Sequence, residues 1–322
     1  MPLLPSPLII PPVTQPNGHL QTIIPNLRRK VQGVDFQRSR IETWDDDFLD
    51  IDWLKGGSNK IAIITHGLAG NSRAEYVKGI AKVLCQSGYD IAAWNMRGCS
   101  GEPNRLLHSF HGGKTDDLHF VVEHVAQNLH YEDIALVGIS MGGNVTLKYV
   151  GEYAGKMPSL VKRAFAASVP VDMLACSLHL IKGWNLIYSR RYLNQYKDML
   201  RLKEKMFFGK FNFKHAYEAA DLHQFVERVT VPMFHFGTAE HYLNSQSALN
   251  YLHEIQIPTL LVNADNDPFL TDTCFPKQQA EASSNFYLEI VHNGGHVGFE
   301  EKETSDINWL EKRVLRWLNA HS

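Results

Sequence analysis

The sequence predicts an α/β protein with a mostly parallel central sheet, helices on both faces and an inserted helical cap. Three observations predict it. Short apolar runs recur along the 322 residues, segments of helical periodicity separate most of them, and one long stretch breaks the alternation. The runs "KIAIITHG", "YDIAAWNMRG", "EDIALVGIS", "RAFAASVPV", "PTLLVNAD" and "NFYLEIV" are short and almost wholly apolar, as strands buried on both faces must be.

The elements follow in order. "VDFQRSRIETWDDDFLDIDWLKGG" alternates apolar and polar positions around an acidic turn, so it reads as an opening set of two or three antiparallel strands. "RAEYVKGIAKVLCQSG" has helical spacing and ends at Gly88, a suitable C-terminal cap. "KTDDLHFVVEHVAQNL" offers Thr115 and Asp116 as N-caps, and "INWLEKRVLRWLNA" closes the chain as an amphipathic helix. Residues 171–250 carry dense aromatics and bases but no central strand, which predicts the cap. Most of its aromatics are expected to pack the cap's own small core. The domain division is then an N-terminal arm over 1–30, a core made of 31–170 and 251–322, and the cap over 171–250 between them.

Composition narrows the function classes. A hydrophobic content of 44% suits a globular core, and a net charge of -2 gives no overall basic field, so nucleic acid is not an expected partner. The four cysteines lie far apart without a CxxC pair, which argues against a zinc site or a disulfide framework and fits a reducing cytoplasm. The start, "MPLLPSPLIIPPVTQPNGHLQ", lacks a basic leader, and its prolines interrupt any helix long enough to span a membrane. An extended arm on a soluble protein, with no stable membrane insertion, is the expectation. The oligomeric state is left open.

One word carries chemistry. In "GISMGG", Gly138, Ser140 and Gly142 form GxSxG between a strand and a helix, the context that a nucleophile elbow requires. The alternative is a serine that merely caps the helix. A hydroxyl becomes a useful nucleophile only beside a base that is itself oriented by an acid, so both must lie at neighbouring strand ends. "DNDPFL" supplies Asp265 and Asp267, of which Asp267, held extended by Pro268, is preferred; Asp272 is read as an N-cap of the next helix. "VHNGGHVGFE" supplies His292 and His296, and His296, beyond the flexible glycines, is the preferred base. A metal pair is not expected from this HxxxH spacing, because "NGG" opposes the helix that would align the rings. The amides of Met141 and of Leu68, the latter in "THGLAGNS" beside Gly67, are the candidate oxyanion donors.

The words "GHLQTIIP", "HGLAG", "RGCSGEPN", "GISMGGN", "DNDPF" and "NGGHVGF" together resemble the α/β-hydrolase fold. More narrowly, they resemble its YheT-like branch, which includes embryogenesis-associated plant proteins and lipid-active animal relatives. The resemblance implies an esterase-like serine hydrolase with Ser140, Asp267 and His296 as triad and no cofactor. The branch's membrane-bound members carry an N-terminal anchor, and no such anchor is expected from the start of this sequence. "GHLQT" and "RGCSGEPN" receive no chemical role beyond loop scaffolding, with His19 and Arg97 as scaffold residues.

The expected reaction is a two-step acyl transfer to water from a small-molecule acyl ester. The aromatic and aliphatic cap suggests a medium or long lipid-like chain. An acyltransferase or thioesterase would use the same residues, and a ligand-binding protein could use the same scaffold.

Overall fold

Strands of alternating side-chain direction, apolar on both faces, need a helical layer on each side, and the computed structural model has both layers. It describes residues 2–128, 130–303 and 305–321. The strands are β1 (Gln37–Glu42), β2 (Phe48–Leu54), β3 (Lys60–Thr65), β4 (Asp90–Asn95), β5 (Asp133–Ile139), β6 (Val161–Ala167), β7 (Thr259–Ala264) and β8 (Phe286–Val291). They form one sheet in the order β1-β2-β4-β3-β5-β6-β7-β8. The β1–β2 and β2–β4 pairs are antiparallel, and every later pair is parallel.

The helices are α1 (Gly18–Arg28), α2 (Glu75–Gln86), α3 (Thr115–Asn128), α4 (Met141–Glu152), α5 (Met173–Leu180), α6 (Leu186–Met206) and a C-terminal helix, Trp309–Ala320, with shorter helical segments between α5 and α6, between α6 and β7 and between β7 and β8. Ile61 and Ile63 of β3 pack with Leu118 and Val121 of α3 on one face of the sheet. Ala62 and Ile64 face the other way, toward Ile80 of α2 and Val314 and Trp317 of the C-terminal helix. Gly88 takes φ +88° just past α2, the left-handed position in which glycine is least strained. Among the described residues, no helix is long and apolar enough to cross a membrane.

Two local expectations are corrected. Thr115 is the first helical residue of α3 rather than its cap, and its hydroxyl instead donates to Glu152 of α4. Asp272 likewise begins a short 3₁₀ turn, with Thr271 in the capping position. The extended arm holds only as far as Asn17. Its first residues run beside β8 through parallel bridges at Leu3–Leu288 and Leu8–His292, and then Asn17 caps α1 by accepting from the Leu20 amide at 3.0 Å.

Every element between β6 and β7 is helical. Part of this region has its own core of Leu193, Leu200, Phe213, Leu222 and Phe225. It is also fastened to α4 and to the 104–112 loop. The buried Asn144 side chain in α4 donates to the carbonyls of Gly112 and Gln246 and accepts from the Ala248 amide. Lys203 of α6 donates to the carbonyl of Asn104 at 2.6 Å, and burial pulls its pKa down to about 8.

The loop "RGCSGEPN" accounts for itself through Arg97. Its fully buried guanidinium meets Asp117 of α3 at 2.7 Å and, from the β1–β2 turn, Asp45 at 2.8 Å and Asp47 at 3.1 Å. Asn104 adds a hydrogen bond to Asp47 at 2.6 Å. Removing the cation leaves two buried carboxylates without it, so Arg97→Leu is expected to lower unfolding stability by about 3–5 kcal/mol. Urea titration followed by tryptophan fluorescence measures this; a loss below about 1 kcal/mol would show that the cluster is not what joins turn, loop and α3.

Candidate functional site

The site is assembled at the carboxyl ends of the parallel strands. Ser140 follows β5, Asp267 follows β7, His296 follows β8, and Gly67 and Leu68 follow β3. Only a tight turn can take the chain from β5 into α4 over neighbouring strands, and the glycines make it possible. A Cβ on Gly142 would collide with the carbonyls of Thr65 and His66, and one on Gly138 with Thr146 and the Gly142 carbonyl. Ser140 itself sits at φ 57°, ψ -123°. Its amide donates to Ala167 O at 2.8 Å, and its carbonyl accepts from Gly143 N at 2.9 Å. The serine does occupy the position before the helix, but its hydroxyl caps no amide there.

Instead, Ser140 Oγ lies 2.8 Å from His296 Nε2, and His296 Nδ1 lies 2.8 Å from Asp267 Oδ2. The carboxylate can only accept, so Nδ1 carries the proton and Nε2 turns its lone pair to the serine O–H. The second oxygen of Asp267 accepts from the Phe269 amide at 2.9 Å. The Phe269 ring stacks on the imidazole at 3.9 Å between centroids and 12° between planes. Both His296 and Asp267 are buried. The other pair in these loops is separate: His292 meets Asp265 at 2.6 Å, and both side chains are largely exposed.

The donor side of the site is ordered by groups that sequence reasoning did not name. Gly67 N donates to the Tyr76 hydroxyl at 2.7 Å and is therefore occupied. The next amide, Leu68, donates to no protein acceptor among the described residues. Met141, as the first residue of α4, has an amide without a partner inside the helix. Gly67 lies close enough to the nucleophile turn that an added Cβ would come 3.1 Å from the Ser140 Cβ. The ring of His66 supports this loop from beneath: one nitrogen faces Gly67 O at 2.8 Å, and the other accepts from Met96 N at 3.1 Å. Burial drops its pKa to about 4, so it stays neutral and structural.

The word "GHLQT" also gains a role. Thr22 Oγ1 accepts from His296 N at 2.8 Å, and Gln21 Oε1 accepts from Gly294 N at 2.8 Å and from Asn266 Nδ2 at 2.9 Å. A Cβ on Gly18 would collide with Asn266 O, so α1 sits directly on the loop that presents the acid. Ser168 completes the frame by accepting from Val297 N at 3.0 Å. Only the family resemblance of the word hinted at this; spacing could not, because the partners are some 270 positions apart. His19 packs against Tyr188 of α6 and does not reach the serine–histidine–aspartate chain.

Ser140 and His296 open on a cleft of about 310 Å³ that α1 and α6 flank. A second, apolar cavity of about 140 Å³ lies under the cap, lined by Met141, Met173, Tyr196, Phe225 and Met233 among others. Leu68 borders both.

Residues 63–303 match the family described as alpha/beta hydrolase fold. YheT of Escherichia coli strain K12 is 30% identical over 95% of this chain and 91% of its own length. Phospholipase ABHD3 of Bos taurus is 27% identical over 83% of this chain and 67% of its own. Among solved structures, a Pyrococcus furiosus esterase superposes with a TM-score of 0.58 at 18% identity, covering 91% of this chain and 98% of that one, a likeness of fold. The eight-stranded sheet and the family match lead to one assignment: the chain belongs to the alpha/beta hydrolase family.

Proposed function

We propose that the protein is a serine hydrolase that cleaves carboxylic esters with an apolar acyl chain. The observation that carries this reading is the continuous hydrogen-bonded chain from Ser140 through His296 to Asp267, 2.8 Å at each step. His296 takes the proton as Ser140 Oγ attacks the ester carbonyl. The amides of Leu68 and Met141 receive the oxyanion, and His296 returns the proton to the leaving alcohol. Water, activated by the same imidazole, then frees the acid. Asp267 holds the tautomer and stabilises the imidazolium without taking the proton.

The two spaces beside the serine support a division of the substrate. The acyl chain enters the apolar cavity behind Leu68 and Met141, and the alcohol part occupies the cleft, where Arg73, Arg191 and Gln195 offer donors. The four free cysteines suit a reducing compartment, and we place the protein in the cytoplasm.

Ser140→Ala is expected to lower kcat on a soluble acyl ester by at least about 10³-fold while the protein stays folded, and to abolish labelling by a fluorophosphonate. Retained turnover in the folded variant would end the proposal. Thr22→Val leaves the buried His296 amide without its acceptor and loosens the base, so kcat should fall by roughly tenfold or more with KM little changed. Steady-state kinetics on the same ester separates this from a binding defect. Met233→Trp fills part of the cavity. On a series of esters of increasing acyl length, turnover of the longest should drop by about tenfold or more while the shortest is spared; equal loss at every length would place the acyl chain elsewhere.

A further inference from the structure

Two of the stretches that line the cleft share a charge pattern, whereas a third, residues 67–76, brings Glu75. Residues 1–34 contain no Asp or Glu, and neither do residues 173–197, although the whole chain has a net charge of -2. These stretches supply two walls: Ile23 and Asn26 of α1 with Arg29 just past its end, and Tyr188, Arg191 and Gln195 of α6. The walls meet where His19 stacks on Tyr188, with a hydrogen bond of 3.1 Å between them.

Large apolar side chains stand in solvent on this rim. Trp184 is 78% exposed, Leu27 66% and Ile187 56%. Helical spacing ties two of them to the cleft, since Leu27 is one turn beyond Ile23 and Ile187 is one turn before Arg191, and Trp184 sits in the short turn that leads into α6. Around them Arg28, Lys182, Arg190 and Arg191 are exposed, and among the described residues none of these forms a salt bridge. Isolated exposed apolar residues need no explanation, but three beside one opening, interspersed with unpaired cations, form the pattern of an interfacial anchor.

We infer that this rim docks the protein on an anionic lipid surface, with Trp184, Ile187 and Leu27 entering the headgroup boundary and the cations meeting lipid phosphates. A fluid surface suits the location, because a rigid protein partner seated there would close the cleft. Nucleic acid would leave Ile187 and Leu27 without a role. The docking goes beyond the hydrolase reading and needs no turnover.

The test is co-sedimentation of the full chain with phosphatidylcholine vesicles, with and without phosphatidylglycerol, at low and high salt. Wild type and Ser140→Ala should both bind the anionic vesicles at low salt and be released by salt. Trp184→Ser combined with Ile187→Ser should lower the partition coefficient by roughly tenfold, and Arg190→Glu several-fold. Both variants should keep wild-type turnover of a soluble short-chain ester, which shows that they are folded. Phe208 is 87% exposed at the far end of α6, and Phe208→Ser should bind like wild type. No anionic-vesicle binding by folded wild type, unchanged binding by both rim variants, or an equal loss in Phe208→Ser would overturn the docking. Loss of ester turnover in Ser140→Ala alone bears only on the hydrolase reading.

Discussion

The constraint on which the rest of the site depends is the close approach of α4 to the ends of β3 and β5. A non-glycine residue at φ 57°, ψ -123° stores on the order of 1–3 kcal/mol of backbone strain, and Ser140 is held there by its neighbours. Gly138, Gly142 and Gly143 all sit where a Cβ would strike another part of the turn or its surroundings, so the helix cannot retreat without opening the sheet-side packing. The same approach brings the start of α4 and the β3 loop together beside one side chain, an added Cβ on Gly67 coming 3.1 Å from the Ser140 Cβ. The position of Ser140 and that of the neighbouring Leu68 and Met141 amides are therefore one geometric fact, set by the register of β3, β5 and β6.

Solvation then separates two otherwise equivalent pairs. Asp265 with His292 and Asp267 with His296 arise from the same two loops and have similar distances, 2.6 and 2.8 Å. The first pair is exposed to water, where its attraction is screened. The second is buried, hydrogen-bonded at both carboxylate oxygens and covered by Phe269, so its attraction acts through a low dielectric and its ring has one orientation. Burial, not residue type, distinguishes the pair that reaches Ser140. His66 illustrates the complementary case, a histidine so desolvated, with both ring nitrogens satisfied by the backbone, that it cannot serve as a base near neutral pH.

These differences explain which parts of the molecule could be read from the amino-acid order. Strands buried on both faces write themselves as apolar runs. A steric turn writes itself as glycines at fixed offsets, so the alternation of elements and the GxSxG context were legible. Asp267 and His296 were legible as strand-end residues next to Pro268 and a glycine pair. The supports were not. Gln21, Thr22 and Ser168 act through single hydrogen bonds to backbone amides distant along the chain, and Tyr76 sits on what looks like an ordinary amphipathic helix. Such partners have no period and no spacing, because tertiary closure alone brings them together. Thr115 failed as a predicted cap for a related reason: Glu152, which competes for its hydroxyl, lies on another helix.

The cap raises a last point about how recognition and chemistry are joined. Tyr196 and Phe225 stack within the cap at 4.8 Å and also line the apolar cavity, so packing the cap and lining the cavity are a single task for these side chains. Asn144, one turn into α4, binds the returning cap segment on the same helix whose first amide lies beside Ser140. On the proposed reading, a chain lying in the cavity rests against Leu68 and Met141, the two residues whose amides would hold its carbonyl oxygen. A substrate too short to reach that wall would forfeit contacts that position its carbonyl, so chain length should act on the rate of acylation as well as on binding.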